Sequence, residues 1–396
     1  MDVRSHLQRL HEEGNYREIP TVTPMTITDF STNDYLGLAA DADLQARFFA
    51  DASSAQVPLT SSAARLLAPR QIEYTNLEVF LRLLYRKYRG EDTKALLFNS
   101  GYHANTGLIP AIASKSTLIV ADRLVHASII DGIVLSRAPF VRFRHNDFDH
   151  LEKILSEKAG DYTQVLVAVE SVYSMDGDRA DMERLIDIKR RYPNVLLYVD
   201  EAHAFGVLGP KGLGLVAASS APAEVDVTVG TFGKAAASMG AFAVMSGDMR
   251  DYMVNTARSF IFSTALPQLN VAWTRFMLGN IVQKDSRRIH LEHLSVQFAD
   301  VLAKYVDRFP QTPASPARDA EGKPIIIPSH IQPLIVGDPK KAVELSRQLL
   351  SRYGIKALPI RKPTVPEGTE RLRFSLSAAM TSREIEAFDK ALHELL

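Results

Sequence analysis

Short apolar runs alternate with longer segments of helical period through the middle of the chain. The runs are brief and mostly rich in β-branched residues, so they predict strands that are buried on both faces. They are Lys94–Phe98, Leu118–Ala121, Val165–Val169, Val195–Val199, Val225–Val229 and Ala241–Met245. Between them, Ala180–Tyr192 places Met182, Leu185, Ile186 and Ile188 on one side of a helix. This alternation predicts an α/β fold with a mostly parallel central sheet.

The C-terminal part of the chain has a different pattern. A helical stretch with mixed charges runs from about Leu266 to Phe309, and a Pro-rich connection follows it. Ile331–Val336, Pro339–Tyr353 and Thr381–Leu396 then predict a smaller α+β domain. The domain limits that follow are an N-terminal segment at 1–40, a large domain at 41–285 and a small C-terminal domain at 286–396.

The composition excludes several kinds of chemistry. The chain has 396 residues, with 46 Lys and Arg against 46 Asp and Glu, and it has no Cys. This balance gives no reason to expect nucleic acid or a membrane surface as a partner. The lack of cysteine excludes disulfides, thiolate nucleophiles and Cys-ligated metals. The N-terminal residues mix both charge signs, and no segment approaches about 18 consecutive apolar residues. We therefore expect a cytoplasmic protein.

Polar side chains follow four of the predicted strands. In an open parallel sheet, ligands bind beyond the carboxyl ends of the strands, where such side chains collect. The four segments are Asn99–His103, Glu170–Gly177, Asp200–His203 and Gly230–Lys234. These segments are the candidates for a ligand site.

Asp200 ends a strand that is apolar up to that point. A buried carboxylate is costly unless it meets a positive charge, so we expect Asp200 to face a cation or a metal. His203, three residues later, could reach the same ligand. A capping role for Asp200 and an ordinary loop role for His203 are the alternatives. A metal site is not favoured, because Asp-x-x-His supplies two ligands and no third ligand is evident.

Lys234 lies in a turn of small residues, GTFGKAAASMGA. A lysine in a dry pocket can attack a carbonyl carbon, although a solvated loop lysine fits the same segment. A phosphate-binding P-loop fails on spacing, since Thr228 and Ala235 stand where Gly and Ser or Thr are needed. The glycines that follow Asp200 do not form G-x-G-x-x-G, so a dinucleotide-binding dehydrogenase is a weaker alternative.

A candidate anion site completes the set. Ser100-Gly101-Tyr102 leads into a helical pattern over His103–Ala113, so it offers free backbone N–H groups. Each element then has one task if the ligand is pyridoxal phosphate. Lys234 would attach the cofactor, Asp200 would keep the ring nitrogen protonated, and the turn together with Thr231 would take the phosphate.

Several motifs resemble those of the α-oxoamine synthases, a group of fold-type I enzymes that use pyridoxal phosphate. The resemblance covers nearly the whole chain. It is carried by Asn33–Leu38 (NDYLGL), Glu170–Asp178 (ESVYSMDGD), Ile331–Asp338 (IQPLIVGD) and Thr364–Ala379 (TVPEGTERLRFSLSAA). It implies the fold-type I PLP-dependent transferase fold, with a large domain and a smaller C-terminal one, and a homodimer with shared active sites.

The resemblance also implies an activity. Enzymes of this group condense an amino acid with an acyl thioester and release CO₂. The motifs most resemble the branch that joins L-alanine to a pimeloyl group, carried by CoA or by acyl carrier protein, in biotin biosynthesis. Branches that use glycine or serine are the alternatives.

Individual roles around the cofactor follow from the same resemblance. His126 would stack on the ring, and Ser174 and His203 would hydrogen-bond its O3′ oxygen. Asp200 would pair with the ring nitrogen, and Lys234 would carry the cofactor. The phosphate contacts would come from the turn Ser100-Gly101-Tyr102 and Thr231 of one subunit and from Thr264 of the other. His126, Asp200, His203 and Lys234 are the expected catalytic residues.

Three residues are implied in substrate binding. Arg373 would bind the carboxylate of the amino acid through a bidentate hydrogen bond. Asn33 would line the substrate pocket. Arg17 would serve the far carboxylate of a pimeloyl chain, with simple solvation at the surface as its alternative.

Three segments depart from the usual pattern of the family. Leu59–Arg65 stands where the family commonly has a Gly-rich segment, and Ala204-Phe205 stands where it commonly has Gly-Thr. Ala235–Ser238 follows the lysine where glycines are common. We expect these bulkier side chains to narrow or reshape the acyl channel.

Overall fold

The computed structural model describes residues 2–17, 19, 27–51, 56–68 and 71–396. The chain divides into two compact units. The small unit consists of Met1–Tyr35, Ser174–Asp178 and Ile289–Leu396, and the large unit of Leu36–Tyr173 and Arg179–Arg288. The domain limits drawn from the sequence, 1–40, 41–285 and 286–396, stay predictions, because compact packing does not test whether each part folds alone.

Helices and strands occur in both units. In chain order, the helices are α1 (Val3–Glu12), α2 (Ala42–Ala50), α3 (Ile72–Arg89), α4 (Gly101–Ile112), α5 (Ala127–Ser136), α6 (Phe148–Lys158), α7 (Met182–Arg191), α8 (Leu215–Ala218), α9 (Gly247–Thr256), α10 (Arg258–Ile261), α11 (Gln268–Ile281), α12 (Asp285–Ala303), α13 (Pro339–Tyr353) and α14 (Ser382–Leu395). The strands are β1 (Thr28–Asp29), β2 (Lys94–Phe98), β3 (Thr117–Asp122), β4 (Phe140–Phe143), β5 (Gln164–Glu170), β6 (Val195–Asp200), β7 (Val227–Thr231), β8 (Ala241–Met245), β9 (Ile331–Ile335), β10 (Ile355–Lys356), β11 (Leu358–Ile360) and β12 (Arg371–Ser375). Among the described residues, none of these helices has the length and apolar character needed to span a bilayer.

A seven-stranded sheet forms the centre of the large unit, in the order β2-β8-β7-β6-β5-β3-β4. Strands β4, β3, β5, β6 and β7 pair in parallel, and β8 runs antiparallel to both of its neighbours. All six predicted strands are present, with β7 beginning two residues late at Val227. Their continuous apolar runs suit a central strand covered on both faces, and residues such as Val120 and Val167 are fully buried. The prediction of an α/β fold with a mostly parallel sheet is confirmed.

Polar residues end several strands at one edge of this sheet. Glu170 ends β5 and lies directly opposite Asp200 at the end of β6, and Thr231 ends the neighbouring strand β7. α4 begins at the same edge, just after β2. The hydroxyl of Ser100 caps α4 by accepting the backbone N–H of His103. Chemically active side chains therefore collect where the parallel strands end.

The small unit contains two further sheets. Strands β11, β12 and β9 form an antiparallel sheet, and β1 pairs with β10 in parallel. Four aromatic rings, those of Phe30, Phe298, Phe374 and Phe388, pack together in its core. The predicted strand and two helices of this region correspond to β9, α13 and α14.

The predicted helical stretch from Leu266 to Phe309 is wrong as a single element. α11 ends at Ile281, and α12 begins at Asp285. The backbone N–H of Lys284 bonds to the carbonyl of Ile281, a tight i to i−3 contact that ends the regular helix. The carboxylate of Asp285 then favours a new helix start, because negative charge stabilises a helix N-terminus.

Candidate functional site

Lys234 and His203 are brought into contact in the large unit. The loop after β7 carries Lys234, and the turn after β6 carries His203, which is buried. Lys234 Nζ lies 2.7 Å from His203 Nε2. A protonated lysine can only donate, so His203 Nε2 acts as the acceptor in that state. Two predicted catalytic residues thus form one hydrogen-bonded pair.

Asp200 is 5% exposed at the end of β6. Its Oδ1 accepts the backbone N–H of Ala202 at 2.9 Å, and its Oδ2 accepts the side-chain amide of Asn105 at 2.8 Å. A carboxylate offers about four acceptor positions, so these two bonds leave capacity for a further donor. Asp200 is therefore equipped to hold a protonated ring nitrogen.

His126 caps the start of α5. Its Nδ1 accepts the backbone N–H of Ser128 at 3.2 Å and lies 2.8 Å from the hydroxyl of the same serine. Partial burial lowers the pKa of His126, Asp200 raises it, and Lys234 lowers it further. The lowered pKa favours a neutral imidazole at pH 7. The side chain as a whole stays partly open to solvent, so a planar ligand can approach it.

Glu170 is a member of this neighbourhood to which no role was assigned from the sequence. It is buried, and its Oε1 has no hydrogen-bond partner among the described residues. Burial raises the pKa of Glu170 well above its ordinary value, the charge of Asp200 raises it further, and Lys234 opposes both effects. A protonated Glu170 avoids a second buried negative charge beside Asp200. Its position at the end of β5 was the signal in the sequence that could have marked Glu170 as a site residue.

An anion cradle lies at the start of α4. A Cβ built on Gly101 would lie 3.9 Å from Thr231 Cβ, so the threonine side chain stands beside the first turn of the helix. Thr231 is 8% exposed, and its hydroxyl bonds to the carbonyl of Gly240 at 3.1 Å. Helix N–H groups beside a threonine hydroxyl suit a phosphate.

Tyr102 and Thr264 both have contacts within their own chain. Tyr102 is exposed, and its hydroxyl donates to Asp131 Oδ2 at 2.5 Å. Thr264 is exposed as well, and its carbonyl accepts the side-chain amide of Asn99 at 2.7 Å. The contact of Thr264 with a second subunit stays a prediction.

The residues of the large unit fit pyridoxal phosphate. A lysine amine, a buried carboxylate with spare acceptor capacity and an accessible imidazole share one electrostatic neighbourhood, since Lys234 and Asp200 both shift the pKa values of His126 and Glu170. The helix start beside Thr231 supplies the matching site for a phosphate. This donor set corresponds to the aldehyde, ring nitrogen, ring face and phosphate of that cofactor.

Arg373, Ser174 and Asn33 come together in the small unit. Arg373 is 3% exposed. Its Nε donates to the carbonyl of Ser174 at 2.5 Å, its Nη1 to the hydroxyl of Ser375 at 2.8 Å and its Nη2 to Asn33 Oδ1 at 3.3 Å. A guanidinium has five N–H groups, so these bonds leave two for another acceptor.

Arg17 lies near a second arginine. Arg17 is exposed, and its positive charge adds to partial burial in lowering the pKa of Arg361. Arg361 donates to the carbonyl of Gly14. Two guanidinium groups in one neighbourhood repel each other, so an anion between them would be favourable.

Phe205, one of the departures from the family pattern, packs into the core. Its ring lies 4.8 Å from that of Phe242 and 6.3 Å from that of Phe232, measured between ring centroids. Phe205 and Ala204 are both buried. The bulk of Phe205 is taken up by this aromatic cluster, so it gives no support to the expected narrowing of an acyl channel.

Known proteins resemble the chain over almost its full length. A model of the family described as aminotransferase class I and II matches residues 26–392. A relative from Glaesserella parasuis, provisionally named an 8-amino-7-oxononanoate synthase, is 46% identical over 96% of this chain and 97% of its own. The solved 8-amino-7-oxononanoate synthase of Francisella tularensis has a TM-score of 0.74 at 26% identity, over 93% of this chain and 98% of that one. A solved variant of serine palmitoyltransferase from S. paucimobilis, with bound PLP and myriocin, has a TM-score of 0.82 at 25% identity, over 98% and 96%.

Proposed function

The chain belongs to the class I and II aminotransferase family of pyridoxal phosphate enzymes, and on that premise we propose that it joins L-alanine to a pimeloyl thioester. The reaction releases CO₂ and the thiol and gives 8-amino-7-oxononanoate, a step of biotin biosynthesis. The thioester is carried by CoA or by acyl carrier protein. The contact of Lys234 Nζ with His203 Nε2 carries the cofactor chemistry of this proposal, and the names of the full-length relatives support its substrates.

The residues of the large unit serve the cofactor and the moving proton. Bound pyridoxal phosphate supplies an electron sink for negative charge at the substrate Cα. Asp200 keeps a proton on the ring nitrogen, because a buried carboxylate stabilises the adjacent cation. His126 would pack against the ring, and the N-terminus of α4 with Thr231 would bind the phosphate. Lys234 would hold the cofactor, and its amine would serve as the base for the Cα proton, while its contact with His203 keeps Nζ in position.

The residues of the small unit serve the substrates. Arg373 binds the carboxylate of the amino acid through its two remaining N–H groups, which orients the Cα–H bond for proton removal. Asn33 steadies this guanidinium through its Oδ1 and lines the pocket. Ser174 would hydrogen-bond the ring O3′ oxygen, as the family resemblance implies. Arg17, with Arg361 nearby, binds the far carboxylate of the pimeloyl chain.

A homodimer with shared sites is part of the proposal, and a cytoplasmic location goes with it. Large apolar side chains are exposed on two segments, 59–67 and 262–264, that an isolated β-bridge between Ala64 and Thr264 brings together. Phe262 is 69% exposed, and Leu59 and Leu67 are exposed as well. Apolar side chains left exposed on these segments support a protein interface there.

A panel of substrates tests the activity. The purified protein, loaded with pyridoxal phosphate, is given L-alanine, glycine or L-serine with pimeloyl, acetyl, succinyl or palmitoyl thioesters, and thiol release and CO₂ are measured. We expect the highest rate with L-alanine and a pimeloyl thioester, and no turnover by Lys234→Ala. The structural similarity to serine palmitoyltransferase makes serine with a long acyl chain the second candidate. The highest rate with that pair would replace the first assignment.

A further inference from the structure

A buried hydrogen-bond network centred on Asn105 links Asp200 to His126. Asn105 lies on α4 and is 1% exposed. Its Nδ2 donates to Asp200 Oδ2 at 2.8 Å and to the hydroxyl of Ser128 at 2.9 Å. The hydroxyl of Tyr198 reaches Asn105 Oδ1 at 2.6 Å, and that of Ser128 lies 2.8 Å from His126 Nδ1.

The charge of Asp200 fixes the orientation of the Asn105 amide, and with it which groups donate and which accept around Asn105. An ionised carboxylate only accepts, so the NH₂ of Asn105 must face Asp200, and the reverse orientation would bring two oxygens together. Asn105 Oδ1 then faces Tyr198. Burial and the charge of Asp200 raise the pKa of Tyr198 well above its ordinary value, so that hydroxyl keeps its proton and donates it.

The second N–H of the Asn105 amide begins the hydrogen-bond chain that leads through Ser128 to His126. It donates to the Ser128 hydroxyl oxygen, which leaves the hydroxyl proton available for His126 Nδ1, 2.8 Å away. The backbone N–H of Ser128 points to the same nitrogen. A backbone N–H can only donate, so Nδ1 is the acceptor nitrogen, shared by the N–H and the hydroxyl of Ser128, and the proton of a neutral His126 resides on Nε2.

The network accounts for a polar residue in an apolar setting. Asn105 has fully buried neighbours on the same helix, including Ala104, Leu108 and Ile109. Asparagine is a poorer helix former than alanine or leucine, and burying its amide is costly unless it is hydrogen-bonded. Both amide protons and the amide oxygen of Asn105 have partners, so the cost is offset by the network.

We propose that Asn105 is a positioning residue that holds Asp200 and His126 in one fixed arrangement and locks His126 in the tautomer with its proton on Nε2. The proposal rests on the proposed function only for what Asp200 and His126 do to the cofactor. The arrangement itself belongs to the protein and is measurable in the cofactor-free chain.

The charged groups that act on His126 are all retained in the Asn105 and Ser128 variants. Asp200 and Asp131 raise the pKa of His126, and Lys234 lowers it. The carboxyl of Glu170 bonds to the backbone N–H of His126. A change at Asn105 or Ser128 removes none of these groups, so a shift in the titration of His126 reports on the hydrogen bonds.

The test is nitrogen NMR of the histidine rings in the full-length protein, stripped of pyridoxal phosphate. The variants are Asn105→Ala and Ser128→Ala, and His126 is assigned with His126→Gln. The control is Tyr85→Phe, which removes a buried hydroxyl that donates to the carbonyl of Leu213 in the same unit. Binding of pyridoxal phosphate is titrated for each protein.

In the parent protein we expect the Nε2–H tautomer of His126. In both network variants the pKa of His126 should rise by roughly half to one pH unit, because the neutral ring loses one accepted hydrogen bond or its orientation. Asn105→Ala should also bind pyridoxal phosphate roughly 5- to 10-fold more weakly, because Asp200 loses its amide donor. Tyr85→Phe should change neither readout.

A parent protein with the His126 proton on Nδ1, or an unchanged pKa of His126 in both network variants, would overturn the proposal, as would an equal shift in the control. If Asn105→Ala does not fold, the pKa of His126 in Ser128→Ala alone tests the hydrogen bonds to His126. If these shifts occur but the substrate panel shows no condensation, the proposed function fails and the role of Asn105 stands.

Discussion

Glu201, the neighbour of Asp200, should make the protein less stable as pH rises. Its Oε1 accepts the backbone N–H groups of Leu215 and Val216 at 2.6 and 3.1 Å, at the start of α8. The side chain is buried, and burial raises the pKa of Glu201 to about 7, with a smaller contribution from Asp200.

The size of the effect follows from proton linkage. The folded protein holds the Glu201 proton up to a pKa of about 7, whereas the unfolded chain releases it near the ordinary glutamate pKa of 4.5. A raised folded-state pKa contributes stability that is fully present below the unfolded pKa and is lost as pH rises through the folded one. Between pH 5 and pH 8 this single group should cost about 2 to 3 kcal/mol of unfolding free energy.

Denaturant unfolding at pH 5 and pH 8 measures this cost in the parent protein and in Glu201→Gln. The glutamine keeps an oxygen for the two N–H groups and cannot ionise. Its loss of stability between the two pH values should therefore be smaller than that of the parent by about 2 to 3 kcal/mol. Glu91→Gln, at a well-exposed glutamate, is the matched control and should follow the parent. Equal pH dependence in Glu201→Gln and the parent would show that Glu201 does not hold its proton in the folded protein.

Two backbone predictions concern the same unit. Ala237 has a φ of 46°, a left-handed value that glycine adopts more easily, so Ala237→Gly should raise the unfolding free energy by about 0.5 to 1 kcal/mol. The matched change Ala236→Gly should lower it. A loss of stability in Ala237→Gly would contradict this prediction. Gly214 has a φ of 94°, and a Cβ there would lie 2.1 Å from Glu201 Oε2, so Gly214→Ala should cost more than about 2 kcal/mol in the same denaturant assay. A near-neutral Gly214→Ala would show that the carboxylate moves aside without strain.

The predicted strands of the central sheet are continuous apolar runs, whereas β4, one of its two edge strands, could not be recognised in this way. β4, at Phe140–Phe143, is an edge strand interrupted by Arg142, and Phe140 at its start is 49% exposed. No apolar run marks such a strand. β1 is only two residues long and pairs with Ile355 and Lys356 near the other end of the chain, so no local pattern could reveal it.

The site was predictable where residue type and strand position coincide. Asp200, His203 and Lys234 follow apolar runs, and their chemistry is uncommon in such positions. Asn105 was missed because the helical pattern does not show which face of α4 is buried. A polar residue among Ala104 and Leu108 was the one available signal, and its meaning depends on Asp200, which lies 95 residues away along the chain.

The raised pKa of Glu170 was out of reach for a similar reason. The residue stands after a predicted strand like Asp200 does, but its raised pKa comes first from burial and then from the charge of Asp200, which lies directly opposite in the sheet. Strand register of this kind follows from the assembled sheet and not from either strand alone. For Phe205 the sequence suggested an effect that the packing does not support. Its bulk near His203 suggested a narrowed acyl channel, but its ring packs against Phe242.

The role of Lys234 as the point of cofactor attachment is open to a direct chemical test. The cofactor-loaded protein is reduced with borohydride, and its peptides are then analysed by mass spectrometry. We expect pyridoxal phosphate to become fixed to the peptide that carries Lys234, and Lys234→Ala to yield no such labelled peptide. Label on a different lysine, or a parent protein that takes up no label after loading, would contradict the assignment of this amine.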